Sequence, residues 1–242
     1  MQLPPLTQGH ILKRYKRFLA DVELADGQVV TAHCPNTGSM FGCWEPGAPV
    51  QISHSDNPRR KLSWTLERVD MGQGWVGVHT GRTNPVVEEA LRTGLIDRLA
   101  DYPSIRREVG FSCNGERSRF DFLLAGGERP DAWVEVKNVT LWQGRGLGFP
   151  DAVTLRGRKH LELLAQACGQ GYRGVMVYAL NRPEGEYFCP ADDIDPEYGR
   201  TLRRVVKEAG VELIAVRIGH DEASMSVIGE VPVVLDGTPG TQ

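Results

Sequence analysis

The sequence predicts a mixed α/β protein in two parts, a small β-barrel followed by a domain in which helices and strands alternate. Three observations predict it. The first third reads as short β-type segments separated by turns. The character changes at Asn84-Pro85, where a helix start is written. Beyond that point, extended and helical segments follow one another to about Ile218.

In the first part, strands are expected near Phe18 to Leu24, Val29 to His33, Val50 to Ser53, Leu62 to Val69 and Trp75 to Val78, with Gly, Pro, Asn or Asp between them. Five is the strand count of a small oligonucleotide-binding (OB) barrel, although a generic β-barrel or half-sandwich fits the same pattern. Asn84 is a candidate N-cap, Pro85 suits the first helical position, and Val86 to Leu91 run to a stop at Gly94. A strand from Ser104 to Phe111 leads into Asn114-Gly115, a strong hairpin signal, and Arg117 to Leu124 returns. After a second turn at Gly126 to Pro130 comes a strand from Ala132 to about Leu141. Leu155, Leu161, Leu164 and Ala167 mark a helix from Val153 to Ala167. An apolar strand at Gly174 to Leu180, a helix at Pro196 to Ala209 and a strand at Val211 to Ile218 complete the order. The expected domains are 1–82 and 83–226, with residues 227–242 as a C-terminal strand and tail, loose from Glu230 and disordered at its end.

Composition narrows the function classes. The chain has 242 residues, 40% hydrophobic and 24% charged, which excludes a disordered or collagen-like protein. Its net charge of −3 means that bulk charge does not hold it to nucleic acid, so such binding needs local basic patches. No apolar run approaches the ~20 residues of a membrane helix. The N-terminus lacks a secretory pattern, so the cytoplasm is the expected location. Five cysteines without a Cys-x-x-Cys pair do not form a disulfide framework. A zinc site from His33, Cys34 and Cys43 lacks the usual ligand spacing, and buried inert thiols are expected instead.

The strand Ala132 to Leu141 carries the chemistry. Its side chains alternate, so Trp133, Glu135, Lys137, Val139 and Leu141 share a face, placing two opposite charges in an otherwise apolar row. Burying an ion costs several kcal/mol unless it is paired or binds a metal. A plain Glu–Lys ion pair on an exposed edge strand would give the same alternation. Asp121 lies on the strand expected to pair with this one. Two carboxylates converging from neighbouring strands can hold Mg²⁺, which lowers the pKa of a bound water and neutralises charge developing on phosphate. Lys137 would point into the same pocket and orient the attacking hydroxide. Asp131 lies four residues before Glu135, about 13 Å along the strand, and is a turn residue; Asp151 is expected to cap the following helix.

This order of elements resembles the PD-(D/E)xK nuclease core. More narrowly, five blocks resemble the sugar fermentation stimulation protein A (SfsA) family: Lys13 to Asp21, His33 to Met40, Ser118 to Phe122, Glu135-Val136-Lys137 and Phe149 to Thr154. The resemblance implies an N-terminal OB-like barrel, a C-terminal nuclease-like α/β domain and sequence-non-specific DNA binding, together with a regulatory role in maltose or sugar metabolism. The nuclease likeness implies Asp121, Glu135 and Lys137 as catalytic residues, with one or two Mg²⁺ or Mn²⁺ ions. It also implies a helix glutamate as a further metal ligand, for which Glu89 is the candidate and Glu88 the alternative; a first-turn acid near a helix N-terminus explains either equally. Phe120 stands where the nuclease pattern has proline, a backbone aid and not a ligand.

Three basic clusters suit a polyanion. Lys13, Arg14, Lys16 and Arg17 surround Tyr15, Arg59, Arg60 and Lys61 fall in a loop, and Arg156, Arg158 and Lys159 crowd the helix after the Glu-x-Lys strand. Arg117 and Arg119 share the face of Asp121. His160 is expected either to contact phosphate or to pack. DNA is the expected partner, with RNA open. A non-enzymatic DNA-binding regulator and an interaction module that binds neither metal nor nucleic acid are the rival readings.

Overall fold

The computed structural model describes residues 1–236. The expected disordered end at 237–242 lies outside them. Among the described residues no helix is long and apolar enough to cross a membrane.

Five strands close the N-terminal barrel: β1 (Leu6–Tyr15), β2 (Leu19–Leu24), β3 (Val29–His33), β4 (Pro49–His54) and β5 (Trp64–Asp70). β1 pairs with both β2 and β4, and a parallel contact of β3 with β5 (Ala32 to Trp64, His33 to Thr65) completes the closure. A sixth strand, β6 (Trp75–Gly77), only extends β5. The expected five-stranded barrel is present, but its membership differs from the expected strands. β1 is a barrel strand that the sequence pattern hides, and Trp75 to Val78 is not part of the closed set. Ile11, Val22, Ala32, Ile52 and Leu66 fill the barrel with no exposed surface.

The second domain contains α1 (Thr83–Arg92), β7 (Ser104–Cys113), β8 (Glu116–Ala125), β9 (Ala132–Val139), β10 (Leu141–Gln143), β11 (Gly146–Phe149), α2 (Leu155–Gly169), β12 (Arg173–Leu180), β13 (Tyr187–Pro190), α3 (Pro196–Ala209), β14 (Glu212–His220) and β15 (Met225–Val231). Its main sheet has the order β15-β14-β12-β9-β8-β7, with β9, β12 and β14 parallel. α1 packs its Val86, Val87, Ala90 and Leu91 on one face, and α2 and α3 cover the other with Leu161, Leu164, Leu202 and Val205. β12 is buried throughout its apolar run, as a central parallel strand must be when helices cover both sides. The small sheet β10-β11-β13 was not foreseen from the sequence.

Both ends of the chain join this domain. Residues 227–231 continue β15 along β14, and Val233 bridges to Phe188, so this stretch is part of the sheet domain and not a loose tail. At the other end, Gln2 bridges to Ser224 and the Leu3 amide donates to the Ala223 carbonyl. The barrel is thus inserted between two segments held by the same sheet.

Candidate active site

β8 and β9 pair as an antiparallel ladder only from Leu124–Ala132 to Phe122–Val134. Beyond that pair the strands part. β8 also breaks its alternation here, since Phe122 packs on the α1 side of the sheet and Phe120 on the α2 side. On β7, opposite this kink, Glu108 holds φ of 51°, a left-handed backbone uncommon for a side chain of its size. The gap lets the Asp121 carboxylate take the place of a ladder partner: its Oδ2 accepts the Val136 amide at 2.7 Å, and its Oδ1 accepts Asn84 Nδ2 at 2.6 Å.

Glu135 and Lys137 lie on one face of β9, as strand alternation requires. Lys137 Nζ donates to Glu135 Oε1 at 2.5 Å, and His160 Nδ1 of α2 donates to the same oxygen. His160 Nε2 faces Ser118 Oγ at 3.2 Å and accepts Arg156 Nε at 3.5 Å, which assigns the proton to Nδ1. Glu135 Oε2 is buried and has no hydrogen-bond partner. Burial, with the Glu135 charge beside it, pushes Asp121 up to about 6. Burial also pushes Glu135 upward, but the His160 hydrogen bond and the Lys137 charge outweigh it and hold the carboxylate below its ordinary range.

Two clefts meet at these carboxylates. One, of about 590 Å³, lies between the domains, where Asn36, Thr37 and Gly38 of the barrel face Asp121, Lys137 and Asn138. The other, of about 520 Å³, is lined by Arg117, Arg119, Arg156, Lys159 and His160. Glu108, Asp121 and Glu135 belong to both. A bridge spans the first cleft: Asp151 Oδ2 accepts the Ser39 amide at 3.0 Å and the Ser39 hydroxyl at 3.3 Å. A side chain at Gly38 would push the Asp151 carboxylate out of this bridge. Asp151 therefore does not cap α2; Thr154 does, accepting the Gly157 amide.

The structure brings Asp121, Glu135 and Lys137 together, with Arg119, Arg156 and Lys159 beside them. It does not bring Glu89. That side chain is 51% exposed and pairs with the Met1 ammonium, because it faces the β15 edge and not the gap. Glu88 pairs with Arg92 and Arg107. The helix offers Asn84 instead. α1 begins at Thr83, one residue ahead of the expected cap, which frees the Asn84 amide to reach Asp121.

The other basic residues lie elsewhere. Lys13 pairs with Asp21 at 3.2 Å, and Lys16 and Arg17 stand exposed in the β1–β2 turn. Arg14 donates to the Arg17, Asn36 and Gly38 carbonyls, pinning the loop that faces the cleft. Arg59, Arg60 and Lys61 occupy the β4–β5 loop, with Arg60 bound to Thr65, and Arg158 does not line either cleft. Asn84, Asn138 and the Asn36–Gly38 loop were missed by sequence reasoning; the Asn36-Thr37-Gly38 turn motif was the one available signal. All five cysteines are free. Among the described residues no group of three or more His, Cys, Asp or Glu gathers as a metal-binding set.

Residues 12–78 match the family described as the SfsA N-terminal OB domain, and residues 81–224 match the sugar fermentation stimulation protein RE domain. The chain is 50% identical over 236 residues to a sugar fermentation stimulation protein homolog of Geobacter metallireducens, covering 97% of this chain and 100% of the relative. It is 47% identical over 234 residues to a homolog of Geotalea uraniireducens, covering 96% and 99%. The solved structure of Pyrococcus furiosus SfsA in complex with Ca²⁺ superposes with a TM-score of 0.86 at 23% identity, covering 97% of this chain and 98% of that one. By these matches along nearly its whole length, the chain belongs to the sugar fermentation stimulation protein (SfsA) family.

Proposed function

We propose that this protein binds DNA without sequence preference and hydrolyses its phosphodiester bonds with a divalent cation held by Asp121 and Glu135. The observation that carries the reading is the buried, partnerless Glu135 Oε2 beside a second carboxylate, with Oε1 already engaged by Lys137 and His160. A buried acceptor without a partner costs about 1–3 kcal/mol, which a bound cation would remove. Two carboxylates with room for water fit Mg²⁺ or Mn²⁺, since Mg²⁺ keeps several waters and takes its remaining ligands from substrate phosphate. The SfsA of P. furiosus was solved with Ca²⁺, another oxygen-seeking cation.

The metal would supply an acidified water and charge neutralisation at the phosphate. The chain's own residues do the rest. Lys137 orients the attacking oxygen and shields the negative charge of Glu135. His160 fixes the rotamer of Glu135 through Oε1, which leaves Oε2 without a hydrogen-bond partner. Asn84 and the Val136 amide hold Asp121 in the gap. Arg119, Arg156 and Lys159 attract the phosphodiester backbone. This reading carries with it a cytoplasmic location.

A second reading, a non-enzymatic DNA-binding regulator of sugar (maltose) metabolism genes, draws support from the small number of acidic ligands. A nicking assay on plasmid and single-stranded DNA with Mg²⁺ or Mn²⁺ separates the two. Cleavage by the wild type, with a loss of about 10²–10³-fold in Glu135→Ala and in Lys137→Ala, is expected. DNA that shifts in a gel yet stays intact with every divalent ion would favour the regulator.

A further inference from the structure

We infer that the interdomain cleft takes one unpaired strand of DNA, with Phe41 stacking on a base at its mouth. This deepens the proposed function and rests on it for the chemistry, but not for the binding. Three observations support it. First, the cleft is bridged: Ser39 of the barrel and Asp151 of the sheet domain bond across it, and the Arg14 guanidinium pins the Asn36–Gly38 loop from behind. Its volume, about 590 Å³, lies within the range that holds one drug-sized molecule, which is the size of a nucleotide or two.

Second, charge is divided between the clefts. The side lined by Arg117, Arg119, Arg156 and Lys159 carries four cations against three carboxylates, whereas the interdomain side carries more carboxylates than cations. A backbone of phosphates therefore approaches along the basic side. The interdomain side is left for the neutral base and sugar, with the scissile phosphate at the carboxylates between them.

Third, exposed apolar side chains stand two residues past each end of the bridge. Phe41 is 74% exposed, the most exposed aromatic among the large hydrophobic side chains of the described residues, and its amide is held by the Ser39 hydroxyl. Val153, two residues past Asp151, is 68% exposed. An exposed aromatic ring two residues past Ser39 offers a sequence-tolerant platform for an unpaired base.

The test measures binding in Ca²⁺ and cleavage in Mg²⁺ or Mn²⁺ separately. A fluorescent 20-nucleotide strand and its blunt duplex are titrated with the full-length protein by anisotropy. The single strand is expected to bind at least ten-fold tighter, and Phe41→Ala to weaken that binding by about 5–100-fold while leaving the duplex affinity unchanged. Phe41 is a surface residue outside the catalytic set, and circular dichroism of the variant checks that the fold is kept. Duplex binding as tight as single-strand binding, or a Phe41→Ala variant with unaltered single-strand affinity, overturns the inference. If the strand preference appears but neither substrate is cut, the strand reading stands and the phosphodiesterase reading falls.

Discussion

Glu135 keeps its charge in a buried place because two donors converge on one of its oxygens and leave the other open. Remove Lys137 and the desolvation cost of that carboxylate is no longer offset, so Lys137→Ala should lose metal affinity as well as rate. A second buried titratable residue, His220, works in the opposite sense. Its Nε2 donates to Asn181 Oδ1 at 2.7 Å while Nδ1 faces the Arg68 guanidinium at 3.5 Å. Burial first, and the Arg68 charge second, depress it to about 4. The unfolded side chain takes up a proton near 6.5, so the native state holds the neutral ring against protonation. The stability this contributes is fully present above pH 6.5 and is lost as pH falls toward 4, by roughly 2–3 kcal/mol. Urea unfolding across pH 4.5–7.5 should therefore give a shallower pH slope for His220→Gln than for the wild type.

The helices show which elements a linear pattern specifies. α3 begins and ends where the sequence says, because Asp195 caps it through the Tyr198 amide, Pro196 opens it, and Gly210 closes it in the left-handed conformation. The hairpin of β7 and β8 was equally plain, with Asn114 and Gly115 both at positive φ as an Asn-Gly turn demands. β1 was not legible: Gly9 interrupts it, a bulge lies between Ile11 and Lys13, and its basic end reads as surface. β10, β11 and β13 are three or four residues long, too short for a period of two to register. The site divides in the same way. Asp121, Glu135 and Lys137 could be placed together because neighbouring strands carry them. Asn84 and His160 depend on where α1 and α2 dock, which periodicity does not encode. Asp195 has a further partner, the Thr154 amide ahead of α2, so one carboxylate ties two helix starts together. Asp195→Ala should cost about 2 kcal/mol, against about 1 kcal/mol for Thr154→Ala, by guanidinium unfolding.

At the scale of the molecule, the two domains are joined by the polar contacts of a buried arginine as well as by chain. Arg68 of the barrel, 1% exposed, donates to the Asp221 and Glu222 carbonyls and to Gln51. From its neighbour His220, the hydrogen bonds run through Asn181 and Asn138 to Thr83, beside the residue that holds Asp121. Arg68→Met removes two charge-assisted hydrogen bonds, to the half-buried carbonyls of Asp221 and Glu222, and should cost at least about 2 kcal/mol. Calorimetry should then resolve separate barrel and sheet-domain transitions where the wild type shows one. The first three residues add a mechanical point. They are stitched to the far strand of the sheet, so the barrel is tethered at both of its ends. A protease nick in the short connection after β6 would leave the pieces associated, and the halves produced as separate polypeptides should find one another in trans.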